Sequence, residues 1–165
     1  MTTAGHIERM RELAGGMERQ LRFMEVCGTH TMSAFRSGLK SMLPDNVSLL
    51  SGPGCPVCVT PDSYIDMAIA IATRQDVIIC TFGDMLRVPG SEMSLEHARA
   101  RGADVRVVYS PADALKTAGE NRDKRIVFLG VGFETTSPLI AWTIREARGK
   151  DISNYSVLCA HKTIP

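Results

Sequence analysis

Val77-Ile-Ile-Cys80, with the loop that follows it, Thr81-Phe-Gly-Asp-Met-Leu-Arg-Val-Pro-Gly-Ser91, decides how this chain folds. Four apolar residues without alternation suit a strand covered on both faces, as in a parallel sheet flanked by helices. The loop after them mixes polar groups with turn residues. On the upstream side, Thr60 makes a good N-cap and Pro61 a good first helical residue, so a helix is expected over 61–73. Its Ile-Ala alternation could mimic a strand, but the alanines and the cap favour helix. On the downstream side, Ser94 to Arg101 reads as a short helix stopped by Gly102, and Val105–Tyr109 as the next strand.

The same unit recurs in both directions. Towards the N-terminus, Val47–Leu50 is a strand that runs into Ser51-Gly-Pro-Gly-Cys-Pro-Val-Cys-Val-Thr-Pro61. Before it, Leu21–Val26 runs into Cys27-Gly-Thr-His-Thr31. Met32, Phe35, Leu39 and Met42 then share one helical face that ends near Pro44. Residues 6–18 form a first amphipathic helix. Towards the C-terminus, Ser110-Pro-Ala-Asp113 opens a helix with a cap, a proline at its first position and an acid in its first turn. Ile126–Leu129 leads into Gly130-Val-Gly-Phe-Glu-Thr-Thr-Ser137. Pro138 opens a helix with Ile140, Ile144 and Ala147 on one face. Tyr155–Cys159 is a sixth strand. Strand, polar loop and helix in repetition predict an α/β fold: a mostly parallel sheet built of Rossmann-like βαβ units. The polar run Gly119–Arg125 suggests one complete domain over residues 1–115 and the start of a second over 116–165.

Bulk properties narrow the function. With 165 residues, 44% hydrophobic and 22% charged, the chain suits an ordinary globular protein. Nineteen basic against 18 acidic residues leave a net charge of +1, which gives no electrostatic case for nucleic acid or an acidic membrane. No apolar run approaches the ~20 residues of a membrane helix. The N-terminus lacks a basic-then-apolar leader, so a cytoplasmic location is expected. Five cysteines in a reducing compartment point to redox chemistry, metal binding or core packing rather than a disulfide framework.

The unusual residues follow strands. Cys27 and His30 follow the first, Cys55 and Cys58 the second, Asp84 and Arg87 the third, Glu134 and Thr135 the fifth, and His161 the sixth. Ligands of open α/β sheets bind outside the carboxyl ends of the strands, so these residues are expected to line one crevice. Cys55 and Cys58 admit three readings. As a redox dithiol, their spacing brings the sulfurs within disulfide reach, and Cys58 lies near a helix N-terminus that favours thiolate. As half of a structural zinc site, they lack a second ligand pair. As core residues, they sit poorly among glycines and prolines. Cys27, with Gly28 beside it and His30 three residues on, suits metal ligation or nucleophilic chemistry, although it could be a small buried residue. Cys80 and Cys159 lie in apolar strands and are expected in the core. His6 and His97 read as surface residues. Gly130-Val-Gly132 resembles the start of a dinucleotide fingerprint, but Thr135 replaces the third glycine. There is no phosphate loop and no nucleophile elbow.

Four motifs together resemble the HypD family of NiFe-hydrogenase maturation proteins: Cys27–Thr31, Gly52–Pro61, Thr81–Asp84 with Arg87–Ser91, and Gly132–Thr136. They occur in order across nearly the whole chain. The resemblance implies a scaffold on which the Fe(CN)2CO part of the hydrogenase centre is assembled. It implies a HypC-type small chaperone as partner and a HypE-type cyanide donor. Cys27 would be the iron-ligating thiolate, with His30 its neighbour, and Cys55 and Cys58 the redox dithiol. Family members are roughly twice as long and carry a C-terminal cysteine set for a 4Fe-4S cluster. That set is absent here, so the chain reads as an N-terminal portion. The rival from another class is a free-standing thiol–disulfide oxidoreductase using Cys55 and Cys58.

Overall fold

The computed structural model describes residues 3–164. Its elements run α1 (Thr3–Gly15), β1 (Leu21–Glu25), α2 (Gly28–Arg36), α3 (Leu39–Met42), β2 (Val47–Ser51) and α4 (Asp62–Ala72). Then come β3 (Val77–Thr81), α5 (Leu95–Ala100), β4 (Val105–Val107), α6 (Pro111–Glu120), β5 (Arg125–Gly132), α7 (Ser137–Gly149) and β6 (Tyr155–His161). Short 3-10 turns occupy Gly83–Arg87 and Glu134–Thr136. Every pair of neighbouring strands is parallel, and helices connect them, so the α/β expectation holds.

The chain divides into two compact units, Met1–Cys55 and Pro56–Pro165. This differs from the expected division near residue 115. The reason is the sheet: β5 and β6, beyond that position, pair alongside β3 in the order β4-β3-β5-β6.

In the first unit, β1 and β2 form a two-stranded parallel sheet with Leu21 opposite Val47 and Glu25 opposite Ser51. Asn46 fixes the end of α1, donating from Nδ2 to the carbonyls of Ala14 (2.7 Å) and Met17 (3.1 Å). The single helix expected over 32–42 is two helices. Gly38, at φ 65°, takes the left-handed conformation that breaks the run between Arg36 and Leu39.

In the second unit the sheet is covered on both sides, which is why β3 is buried at all five positions. Alternate residues face opposite layers. Val77, Ile79, Leu129 and Val131 pack with Ile65, Ala68 and Leu95 of α4 and α5. Ile78, Cys80, Ile126 and Phe128 pack with Ala114 and Ala118 of α6 and Ile140 of α7. Phe128 meets Phe82 edge-on, with centroids 5.6 Å apart. The Ser110 cap of α6 forms as a full capping box with Asp113. At α4 the expected cap moves by one residue. Pro61 is the N-cap, and the Thr60 hydroxyl donates instead to the Pro56 carbonyl at 2.8 Å, closing the turn that carries Cys58. On α7, Ile140 and Ala147 are buried but Ile144 is exposed.

The strands do not end level. Cys80 is opposite Phe128, one residue before β3 ends, whereas β5 continues to Gly132, opposite His161 of β6. Connections from β3 and β5 also leave in opposite directions, since β4 lies beside β3 on one flank and β6 beside β5 on the other. This is the switch point at which open α/β sheets place their ligand crevice.

Candidate functional site

Cys27 is the N-cap of α2, in extended conformation (φ −122°, ψ 124°). Gly28, Thr29 and His30 make the first helical turn, so the earliest amides of α2 are left to seek partners outside the helix ladder. The Cys27 carbonyl takes two later amides, His30 at 3.0 Å and Thr31 at 3.2 Å. Its sulfur makes no strict capping bond. Even so, the amide of Thr29, then that of His30, then the Thr29 hydroxyl hold the thiol below its ordinary range. A half-exposed thiolate at a helix N-terminus is a nucleophile and a soft-metal ligand. His30 is exposed at the third helical position.

The segment leading to Cys55 starts at the same sheet end as Cys27. The Gly52 amide donates to the Glu25 carbonyl at 2.8 Å, and a Cβ at residue 52 would collide with that oxygen. Gly54 follows at φ 95°, where a side chain is disfavoured. Cys55 is half-buried. Behind α2, a cavity of about 110 Å³ is lined by Glu25, Thr31, Phe35, Lys40 and Ser51, among others. Glu25 Oε2 is buried without a partner among the described residues.

In the second unit, Cys58 is exposed in the Pro56–Val59 turn, and Val57 packs against the core beneath it. The loops from β3, β5 and β6 leave adjacent strands, and their side chains do varied work. Asp84 accepts from the Met85 amide at 3.0 Å, stabilising its own 3-10 turn. Arg87 is exposed and stands 3.9 Å from Glu96. Glu134 Oε1 accepts from the Ile164 amide at 2.8 Å, and Thr135 is exposed. The Thr81 hydroxyl at the end of β3 is buried without a partner among the described residues. A cavity of about 680 Å³ lined by Thr73, Gln75, Gly102, Asp104 and Lys124 lies at the opposite, amino end of the strands, away from these loops.

Cys80 is buried, and desolvation pushes its thiol up to about 11, as befits a core residue. Cys159 is not in the core. It is exposed on β6, the outermost strand among the described residues, and its Sγ lies 3.1 Å from His161 Nδ1. The signal was in the spacing: residues i and i+2 of a strand share a face. Asp66 carried no such signal. From α4 it accepts from the Ser91 amide (2.8 Å) and hydroxyl (2.6 Å), 25 positions away, and holds the Arg87–Ser91 loop. Those two bonds, hydroxyl first, keep its carboxyl below the usual range. Tyr64 donates to the Leu158 carbonyl at 2.7 Å. Burial, then charge on Cys159, pushes its hydroxyl up, so it stays protonated.

Among the described residues no three His, Cys, Asp or Glu side chains gather as a metal site. No described helix is long and apolar enough to cross a membrane.

Fold and loops define the class: an α/β protein with thiols and polar groups at strand ends, one of the thiols standing at a helix N-terminus. The chain belongs to the HypD family, described as the hydrogenase formation hypA family, which it matches over residues 2–165. It is 52% identical to the hydrogenase maturation factor HypD of Escherichia coli K12 over 96% of this chain and 43% of that protein. It is 48% identical to HypD of Rhodobacter capsulatus (96% of this chain, 42% of the relative). With HypD of Azotobacter vinelandii it shares 53% (90% and 39%). The chain thus spans about two-fifths of the length of these curated relatives.

Proposed function

We propose that this chain carries the cargo-holding part of a NiFe-hydrogenase maturation factor, in which Cys27 binds the iron of an Fe(CN)2CO unit during assembly. The observation that supports this reading best is Cys27 itself, a half-exposed thiol at the N-cap of α2 that amide dipoles bias towards thiolate. Soft thiolate is the donor that low-spin iron with cyanide and carbon monoxide accepts. His30, three residues on, is placed to hydrogen-bond the bound unit or add a ligand. The remaining positions on the iron belong to the cargo's own ligands and to a HypC-type partner, while a HypE-type protein supplies cyanide. Cys55 and Cys58 act as the dithiol that handles electrons, and Asp84, Arg87, Glu134, Thr135 and His161 line the approach. The work is that of a cytoplasmic scaffold rather than a simple turnover enzyme.

The deciding experiment is anaerobic copurification with a HypC-type protein, reading iron and the infrared bands of bound CN and CO. Wild type retains both and Cys27→Ala loses both. Unchanged iron in the variant sinks the proposal. The oxidoreductase alternative predicts the reverse pattern: generic disulfide reduction that needs Cys55 and Cys58 and ignores Cys27.

A further inference from the structure

Cys159 has no part in the cargo chemistry described above, and its neighbour His161 enters it only as a residue lining the approach. Cys159 Sγ and His161 Nδ1 lie 3.1 Å apart, within hydrogen-bond distance. Cys159 is exposed, so a solute can reach its sulfur. The imidazole is held from behind. Its residue pairs with Gly132 of β5, and the Lys162 amide donates to the Gly132 carbonyl at 2.9 Å. Its Cε1 lies over Gly130, where a Cβ would come within 3.5 Å of it. Nε2 is buried without a partner among the described residues. That nitrogen cannot trade protons with water, so exchange runs through Nδ1, the nitrogen facing the sulfur. A thiol with a fixed imidazole at hydrogen-bond distance has the geometry of an activated nucleophile.

We propose that Cys159 and His161 form a thiol-exchange site that takes low-molecular-weight disulfides, making Cys159 a point of reversible S-thiolation. Cys159 passes its proton to His161 Nδ1 as its sulfur attacks one sulfur of the disulfide RS–SR. The Cys159–SR bond forms and the S–S bond breaks. The departing RS⁻ takes the proton from Nδ1 and leaves as RSH. The Cys159 sulfur is oxidised and the departing sulfur reduced, and a second small thiol reverses the step. Cys80 cannot compete, because it is sealed in the core.

The test is incubation with glutathione disulfide at neutral pH, with each cysteine's mixed disulfide followed over time by peptide mass spectrometry. His161→Gln keeps a polar atom near the Nε2 position and removes the Nδ1 base. A general base is worth about 100-fold or more, so the Cys159 rate should fall at least about tenfold in this variant. Cys27, activated by amides instead, should keep its rate in the same sample. Cys80 reports folding, since it is labelled only if the core opens. An unchanged Cys159 rate with Cys80 protected overturns the proposal, as does failure of wild-type Cys159 to react. If Cys80 becomes labelled, the decision falls on Ser156→Cys in an otherwise wild-type chain. This exposed position on the same strand has no histidine two residues on. Cys159 must outpace it by about tenfold, and equal rates overturn the proposal. Iron retention plays no part in this readout, so it stands or falls apart from the cargo reading.

Discussion

The Gly52 amide and the Glu25 carbonyl meet at 2.8 Å, one step past the last paired residues of β1 and β2. The bond prolongs the contact of the two chains beyond the strands, to where Cys27 and the Gly52–Cys55 segment diverge. Gly52→Ala would drive a methyl into the Glu25 oxygen and against the Met24 side chain. We expect a loss of about 1–3 kcal/mol, read from the urea midpoint. Gly15→Ala, at the end of α1 with open space around it, should be neutral or slightly stabilising and serves as the control.

Cys27 should remain reactive towards iodoacetamide at pH values where an ordinary cysteine is protonated. Its lowered pKa comes first from the Thr29 and His30 amides and only then from the Thr29 hydroxyl. Thr29→Ala removes the hydroxyl alone. The midpoint of the rate–pH curve should therefore rise part of the way towards that of a free thiol. A full return to the ordinary value would mean that the amides contribute nothing.

Asp66 should contribute stability that depends on pH. Its folded pKa is depressed by Ser91, so the contribution is complete above the unfolded carboxyl value of about 3.9 and is lost as pH falls through the folded value. Asp66→Asn should lower the urea midpoint at pH 7, and the gap to wild type should narrow at pH 3. Limited proteolysis should find the Arg87–Ser91 loop cut sooner in the variant at neutral pH.

Phe128→Ala removes a fully buried ring from the α6–α7 side of the sheet and its edge-on contact with Phe82. A cost of about 3–5 kcal/mol is expected in equilibrium denaturation.

What was legible in the sequence was local. The run Val77–Cys80 announced a strand covered on both sides, and Ser110-Pro111 announced a capped helix; both are as expected. Failures came where distant residues decide. Cys80 and Cys159 have similar apolar neighbours in sequence, yet one lies on a central strand and the other on an edge. The Thr60 hydroxyl could cap forwards or close a turn backwards, and the turn won. Gly38 sat inside a good helical pattern, and only its left-handed conformation reveals the break. The division near residue 115 was inferred from a polar connector, but such a connector is also what a crossover back to the far side of the same sheet requires. Of the candidate site, Cys27 and its helix were readable from residue types. The Asp66 clamp, which joins α4 to the Arg87–Ser91 loop through space, was not.

The rim of the second unit's sheet is a staircase. β3 stops at Thr81, while β5 and β6 climb three further residues, to Gly132 and His161. At about 3.3 Å per residue the step is about 10 Å high. The aspartate loop begins on the lower tread, over the buried Thr81 hydroxyl, and the glutamate loop on the upper one. Anything that engages both strand ends must therefore have vertical reach as well as breadth. A flat planar group fits one tread, whereas a compact three-dimensional body, or a protein finger, is needed to touch both.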